Sequence, residues 1–535
     1  MPPISPQEEP IRPASAPPRR PPAALEPLKE PVFRLLWSTW LTANICMWMN
    51  DVAAAWTMTT LTATPLWVAL VQSASTLPVF LLGLPSGALA DILDRRRFLM
   101  ATQFWLAITA VILCAVTALG LMTVPLLLLL VFANGIGLAL RWPVFAAIVP
   151  DLVTRDQLPA ALALNGVSMN ASRIIGPLLA GALIASAGSV WVFALNAALS
   201  VMSGFIVLRW KREHQPNPLG RERLVSAIRV GVTFVRQSAR MRAVLTRVSL
   251  FFLHSTALLA LLPLLARGLT GGDAGTFTLL LASMGAGAIV AVLALPRLRQ
   301  AFGRDALVIR GTMVQSVATA VMAIAPSVWI AAPAMFVGGM AWITVANSLS
   351  VSAQLSLPNW VRARGMATYQ MAIMGSSALG AALWGQMATS GSIRIALLTA
   401  SVSGTLTMLL AVRHVTDSAE EHDMSPADAA WTARPSIVPP SEGGHVVTTI
   451  EYLIDPSRAE AFLLVMQQTR RARLSQGAIG WELLHDIGEP TRYLEQVIDQ
   501  SWTEHLRRFH RTTAADVTLR ERRMAFHVAA DAIAV

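Results

Sequence analysis

The sequence predicts an all-α membrane protein of twelve transmembrane helices in two six-helix halves, followed by a small soluble α+β domain. Three observations predict it. Hydrophobic residues make up 54% of the 535 and charged residues only 14%, where a water-facing domain carries about a quarter charged. Apolar runs of some twenty residues recur along most of the chain, the length a hydrocarbon core of about 30 Å requires. After Arg413 those runs stop and short alternating segments begin. Cys46 and Cys114 both lie within apolar runs, so neither a disulfide framework nor a metal site is expected. The formal charge of +11 could suggest nucleic acid. The arginines fall between apolar runs, however, as in loops beside a bilayer, and no nucleic-acid partner is expected.

Taken in order, residues 1–32 mix proline with both charge signs and read as a disordered tail. They lack the short apolar core and cleavage site of a signal peptide. The first half, 33–209, holds spans at 33–61, 65–90, 97–119, 123–150, 158–187 and 189–209. The second half, 243–413, holds spans at 243–267, 274–298, 305–325, 327–356, 363–389 and 391–412. One set of loops carries Arg95, Arg96, Arg97, Arg155, Arg299, Arg304, Arg362 and Arg364, whereas the alternate loops hold little basic beyond Arg267 and Arg394. The positive-inside rule therefore predicts a multi-pass protein of the cytoplasmic membrane with both termini in the cytoplasm.

The basic linker 210–242 repeats Leu224, Ile228, Val232 and Val235 at helical spacing. It reads either as an amphipathic helix on the inner leaflet or as a solvated basic segment. The halves echo one another. Pro150-Asp-Leu-Val-Thr-Arg155 answers Pro358-Asn-Trp-Val-Arg362, and Gly176, Pro177 and Gly181 answer Gly375, Gly380 and Gly385. Duplicated halves place a substrate near the midplane between them. Residues 414–444 read as a polar linker. Residues 445–535 run strand, helix, strand, strand, helix, the order of a ferredoxin-like module.

The segment from Phe33 to Leu70 followed by "LPSGALADILDRRR", with "NASRIIGPLLAGAL" and "QLSLPNWVRARGMATYQM", resembles the major facilitator superfamily. More narrowly it resembles the transmembrane secretion effector branch related to enterobactin exporters. The terminal module resembles dimeric α+β barrels of the antibiotic-biosynthesis-monooxygenase type. The resemblance implies a secondary active exporter of siderophore-, metabolite- or drug-like molecules working by proton antiport, with a homodimer through the terminal domain as a further expectation. It also implies a latch in which Gly87, Asp91, Arg95 and Arg96 face the start of the eleventh span near Arg362. Gly176, Pro177 and Gly181 resemble an antiporter motif; close helix packing accounts for them equally.

Charges inside spans cost at least ~2.5 kcal/mol on insertion scales, so each needs a partner or a wet cavity. By residue count, Asp51 and Arg173 lie at similar depth and are expected to pair, with Arg141 nearer the inner end. Asn44, Trp48 and Asp51 share a helix face. Asp51, Arg173, Asn44 and Asn170 are the expected substrate and proton-coupling residues; a buried structural ion pair is the alternative. Trp342, Asn347 and Gln370 are further lining candidates, with ordinary helix packing as the alternative, and His254 is a histidine that could titrate near neutrality or simply be hydrogen-bonded. No phosphate-binding loop of the ATPase kind occurs, which argues against a primary pump. Nothing in the residues fixes direction, so an importer stays open. A membrane-tethered enzyme would rest on Trp502, His505 and His510 alone, and neither cofactor nor catalytic group is expected.

Overall fold

The computed structural model describes residues 25–154, 157–209, 224–358, 360–414, 444–509 and 511–528. Most of the N-terminal tail, the first part of the basic linker and the 414–444 linker lie outside them. The first half is α1 (Pro31–Leu61), α2 (Pro65–Ile92), α3 (Arg95–Ala118), α4 (Val124–Leu152), α5 (Leu158–Ala187) and α6 (Ser189–Arg209). A short helix, α7 (Leu224–Gln237), leads to the second half. That half is α8 (Ala239–Gly268), α9 (Ala274–Ala301), α10 (Arg304–Ile324), α11 (Val328–Leu355), α12 (Arg362–Ser390) and α13 (Ile393–His414).

The helix starts follow local chemistry. Proline opens α1, α2, α4 and α5, where its missing N–H costs no hydrogen bond. The Asp94 carboxylate caps α3 by accepting from the Arg97 N–H at 2.8 Å, and Asp273 caps α9 through the Thr276 N–H at 2.8 Å. Ten of the described helices are long and apolar enough to cross a membrane. Neither α1 nor α12 is among them. Asn44, Asn50 and Asp51 interrupt the first, and Gln370, Gln386 and several serines the second. Both pack against other long helices, α1 chiefly against α5 and α6 and α12 against α2 and α8.

The duplication read from the sequence appears in the packing. Within the first half α1 lies against α5 and α6, α2 against α4, and α3 against α4 and α6. In the second half α8 lies against α12 and α13, α9 against α11, and α10 against α11 and α13. Each contact in one half thus has its counterpart in the other. The halves meet along α2–α12 and α5–α9, again a symmetric pair.

The two ends of the bundle differ. At the end away from the arginine-rich loops, one apolar core contains Met49, Trp56, Leu127 and Phe193 of the first half together with Leu258, Leu262, Phe277 and Met335 of the second. Arg267 closes this end by donating to the Thr59 carbonyl at 2.6 Å, its guanidinium 4.9 Å from the Trp56 ring centre. At the arginine-rich end the cores are separate. Phe33, Trp40, Phe145, Leu36 and Phe98 serve the first half, while Phe251, Trp342, Val345 and Tyr369 serve the second.

The linker helix forms as its periodicity predicts, but its apolar face meets protein rather than lipid. Phe234 and Val235 are buried in the second half's core, with Phe234 edge-on to Trp360 at 5.7 Å. The terminal module is a small α+β unit: β1 (Val446–Leu453), α14 (Ala459–Gln476), β2 (Gly480–His485), β3 (Arg492–Asp499), α15 (Trp502–Phe509) and α16 (Ala514–Met524). Its antiparallel sheet runs β1-β3-β2, and Ile454 and His527 form a single further bridge. Helix α16 is not among the expected elements. The module leans on the bundle: α14 packs on α7, Arg229 donates to Gln500, and the Arg511 guanidinium lies 5.4 Å from the Trp360 ring centre.

Candidate functional site

The polar stripe of α1 is built at helical spacing: Trp40, Asn44, Trp48 and Asp51 follow at intervals of four, four and three residues. Trp48 lies roughly 26 Å along a helix of roughly 46 Å, near its middle. Each tryptophan of the stripe carries a guanidinium. Arg141 of α4 sits 5.2 Å from the Trp40 ring centre, and Trp40 stacks on Phe145 with ring centres 3.9 Å apart. Arg173 of α5 sits 5.4 Å from the Trp48 ring centre and 4.7 Å from that of Trp342 on α11. The Arg173 cation is therefore held between an indole of each half. Such contacts hold a guanidinium without neutralising it, contributing about 0.5–2 kcal/mol each.

Asp51 and Arg173, expected to pair, do not. Asp51 accepts a hydrogen bond from the Ser75 hydroxyl of α2 at 3.0 Å, and among the described residues it makes no ion pair. Their depths match, but they leave their helices in different directions. Asn44 is fully buried. The side chain of Asn170 lies outside those described. Asn50, beside Asp51, accepts from Asn196 of α6 at 3.2 Å.

Gly176 does what close packing asks of it. A Cβ there would stand 2.5 Å from the Trp48 Cβ, so the glycine sets the distance between α5 and the site tryptophan. Gly181 faces Thr278 of α9 just as closely, across the junction between halves. Pro177 lies inside α5 between them.

The side chains of Asp91 and Arg95, and the position of Gly87, lie outside those described. Arg96 donates to the Leu208 carbonyl at 2.7 Å, which ties α3 to α6 within the first half rather than across to the second. Arg362 opens α12 with an exposed side chain. Asp94, beside the motif, is occupied as a helix cap. Among the other candidates, Asn347 accepts from Arg299 at 2.6 Å, and the His254 ring lies 2.7 Å from the Leu250 carbonyl and against Trp384.

In the terminal module the suggestive residues form a structural network. His505 Nδ1 lies 2.7 Å from the Asp499 carboxylate, which Arg508 also contacts at 3.0 Å, and Trp502 stacks on His505. His510 lies outside the described residues. Glu495, fully buried, accepts from Tyr452 at 2.7 Å, Trp481 at 3.0 Å and Arg473 at 3.1 Å. Burial works to raise its carboxyl, yet the Arg473 and Arg523 charges and these hydrogen bonds overcome burial and bring it down to about 2.

A two-halved helical bundle with charged groups between its halves defines a membrane transporter of the major facilitator type. The profile described as transmembrane secretion effector matches residues 22–535, and the chain belongs to that family. It is 23% identical over 258 residues to the staphyloferrin A transporter of Staphylococcus aureus, covering 48% of this chain and 64% of that protein, just under two thirds of its length. It is 25% identical over 320 residues to the enterobactin exporter EntS of Salmonella choleraesuis, covering 59% of this chain and 75% of that one. Macrolide efflux protein A of Streptococcus pyogenes is 23% identical over 174 residues, covering 32% and 42% respectively. Among solved structures, the nucleoside transporter NupG superposes with a TM-score of 0.58 at 13% identity, covering 72% of this chain and all of that one. The last shows the fold alone. The family and these relatives are transporters rather than enzymes.

Sequence reasoning named Asp51, Arg173, Asn44 and Trp342, and it did not foresee the contacts they make. Of the two indole–guanidinium pairs, only Trp48 was read from the sequence, as the aromatic of the α1 stripe; Trp40, four residues before Asn44, was missed.

Proposed function

We propose that this protein exports a small molecule of siderophore-, metabolite- or drug-like size across the cytoplasmic membrane by alternating access. All twelve long helices cross the bilayer in this reading, α1 and α12 by lining the path rather than facing lipid. The arginine-rich loops and both termini lie in the cytoplasm, and the terminal module is ferredoxin-like. The observation that carries the proposal is Arg173 held between Trp48 and Trp342, one indole from each half, near mid-helix. Any movement of one half against the other must change that contact, so the site can read which side is open. A shared core at one end and separate cores at the other support a state open toward the cytoplasm. The names of the relatives support outward transport of metal-chelating or drug-like molecules.

The test is a comparison of the small molecules secreted by cells with and without the gene. A compound missing from the medium of the deleted strain and restored by the wild-type gene, but not by Arg173→Met, is the expected result. Identical secreted profiles would refute export.

A further inference from the structure

The α1 face carries more unmet hydrogen-bonding capacity than a structural core tolerates. Trp40 Nε1, Trp48 Nε1, Asn44 Nδ2 and Oδ1, Arg141 Nε and Nη2, and Arg173 Nε are all buried without a partner among the described residues. Six of these seven atoms are donors. Asn44 is 0% exposed and Arg141 is 3% exposed, so bulk water does not serve them. Each such orphan costs free energy, and the cost is larger for charged groups. The orphans are also ordered. Trp40 and Trp48 are eight residues apart on one helix face, roughly 12 Å at 1.5 Å per residue, with Asn44 midway. Each end of this ladder has an indole with a guanidinium over it. The single carboxylate on the face, Asp51, already accepts from Ser75.

We propose that the cargo is an acceptor-rich organic acid, carrying several carboxylate or comparable anionic oxygens, and that Trp40, Asn44, Trp48, Arg141 and Arg173 bind it. This deepens the export reading and rests on it. Anionic oxygens match the donors in number and sign, and charge-assisted hydrogen bonds are the strong ones. A cationic cargo would meet two guanidiniums against one carboxylate and would leave the donors unmet. The sign also bears on energy coupling. A proton on Asp51 would remove the opposing charge and strengthen the hold on an acid, which is the reverse of what exchange against that proton needs. An acid instead leaves a negative-inside cell down the electrical potential, a bias of roughly fifty-fold per charge at 100 mV.

The test measures binding to the purified full-length protein in detergent by equilibrium dialysis. Benzene-1,3,5-tricarboxylate is the acidic probe and tetraphenylphosphonium the cationic one. The tricarboxylate should bind, and the phosphonium should not compete with it. Arg173→Met should weaken the acid at least tenfold, and Arg173→Lys, which keeps the charge but loses the planar fork, by less. Trp48→Phe keeps the ring and removes the N–H, so it should fold and weaken the acid several-fold. Asp51→Asn should tighten it. The proposal is overturned if the tricarboxylate does not bind, if its affinity is the same in Arg173→Met and Trp48→Phe as in the parent, or if the phosphonium occupies the site instead. Export is scored separately in cells. An exported cation would overturn this proposal and leave the transport reading standing; acid binding with no exported compound would do the opposite.

Discussion

Two buried arginines of the bundle are held differently from two of the terminal module, whereas a third in the bundle, Arg247, is paired with Asp305 at 2.9 Å. In the terminal module, Arg473 and Arg508 each reach a buried carboxylate, Glu495 and Asp499, at 3.1 and 3.0 Å. In the bundle, Arg141 and Arg173 rest on indole faces and keep N–H groups without a partner among the described residues. The first arrangement is closed: its charges cancel and its donors are used. The second is open, at a cost in stability that packing elsewhere must offset.

If that distinction is right, removing charges should have opposite effects in the two regions. The largest loss of stability is expected for Glu495→Gln, which leaves Arg473 buried beside a neutral amide; about 3–5 kcal/mol is typical for breaking such a pair. Hydrogen exchange along β3 in the full-length protein measures it, and slow exchange retained in the variant would break the comparison. The same network has a pH signature. Glu495 titrates at about 2 in the folded module against an ordinary 4.5. Its contribution is therefore complete above pH 4.5 and is lost as pH falls toward 2, amounting to about 3 kcal/mol. The acid-unfolding midpoint of the module should move upward in Glu495→Gln.

A smaller loss is expected for Gly176→Ala, whose methyl must displace α5 from Trp48; overpacking of this kind costs about 1–3 kcal/mol. Because it moves the indole under Arg173, export should fall with it, as efflux assays at matched expression would show. Asp94→Ala removes a cap and should cost about 1 kcal/mol in thermal denaturation, with little change in export. The smallest stability change is expected for Arg173→Met, within about 1 kcal/mol of the parent, because an open cation contributes little to the fold. Export should nevertheless drop at least tenfold. A large destabilisation in Arg173→Met would show that this arginine is structural after all.

Much of the helical architecture was legible in the sequence, since apolar length is a property of single segments. The duplication was equally visible, and the matched helix contacts repeat it. That Asp51 and Arg173 do not pair could not be read from depth alone. Residue counts give height along a helix at 1.5 Å per residue, but each step also turns the side chain by 100°, and how neighbouring helices are rotated is set by packing that no one segment encodes. Gly176 against Trp48 is one such determinant. For α16 the signal was present. Thr513 and Asp516 form a capping box, a start motif readable from their spacing before the polar run that follows.

The shared core at the end away from the arginine-rich loops has a thermal consequence. Opening that end would part Trp56 from Phe277 and wet the apolar surface that Leu258, Leu262 and Met335 now bury. Exposing apolar surface to water raises heat capacity, so the switching equilibrium would curve with temperature, and the seal would weaken on cooling as well as on strong heating. The separate cores at the other end carry no such term. A carrier built this way would show its temperature dependence chiefly in the step that opens this end.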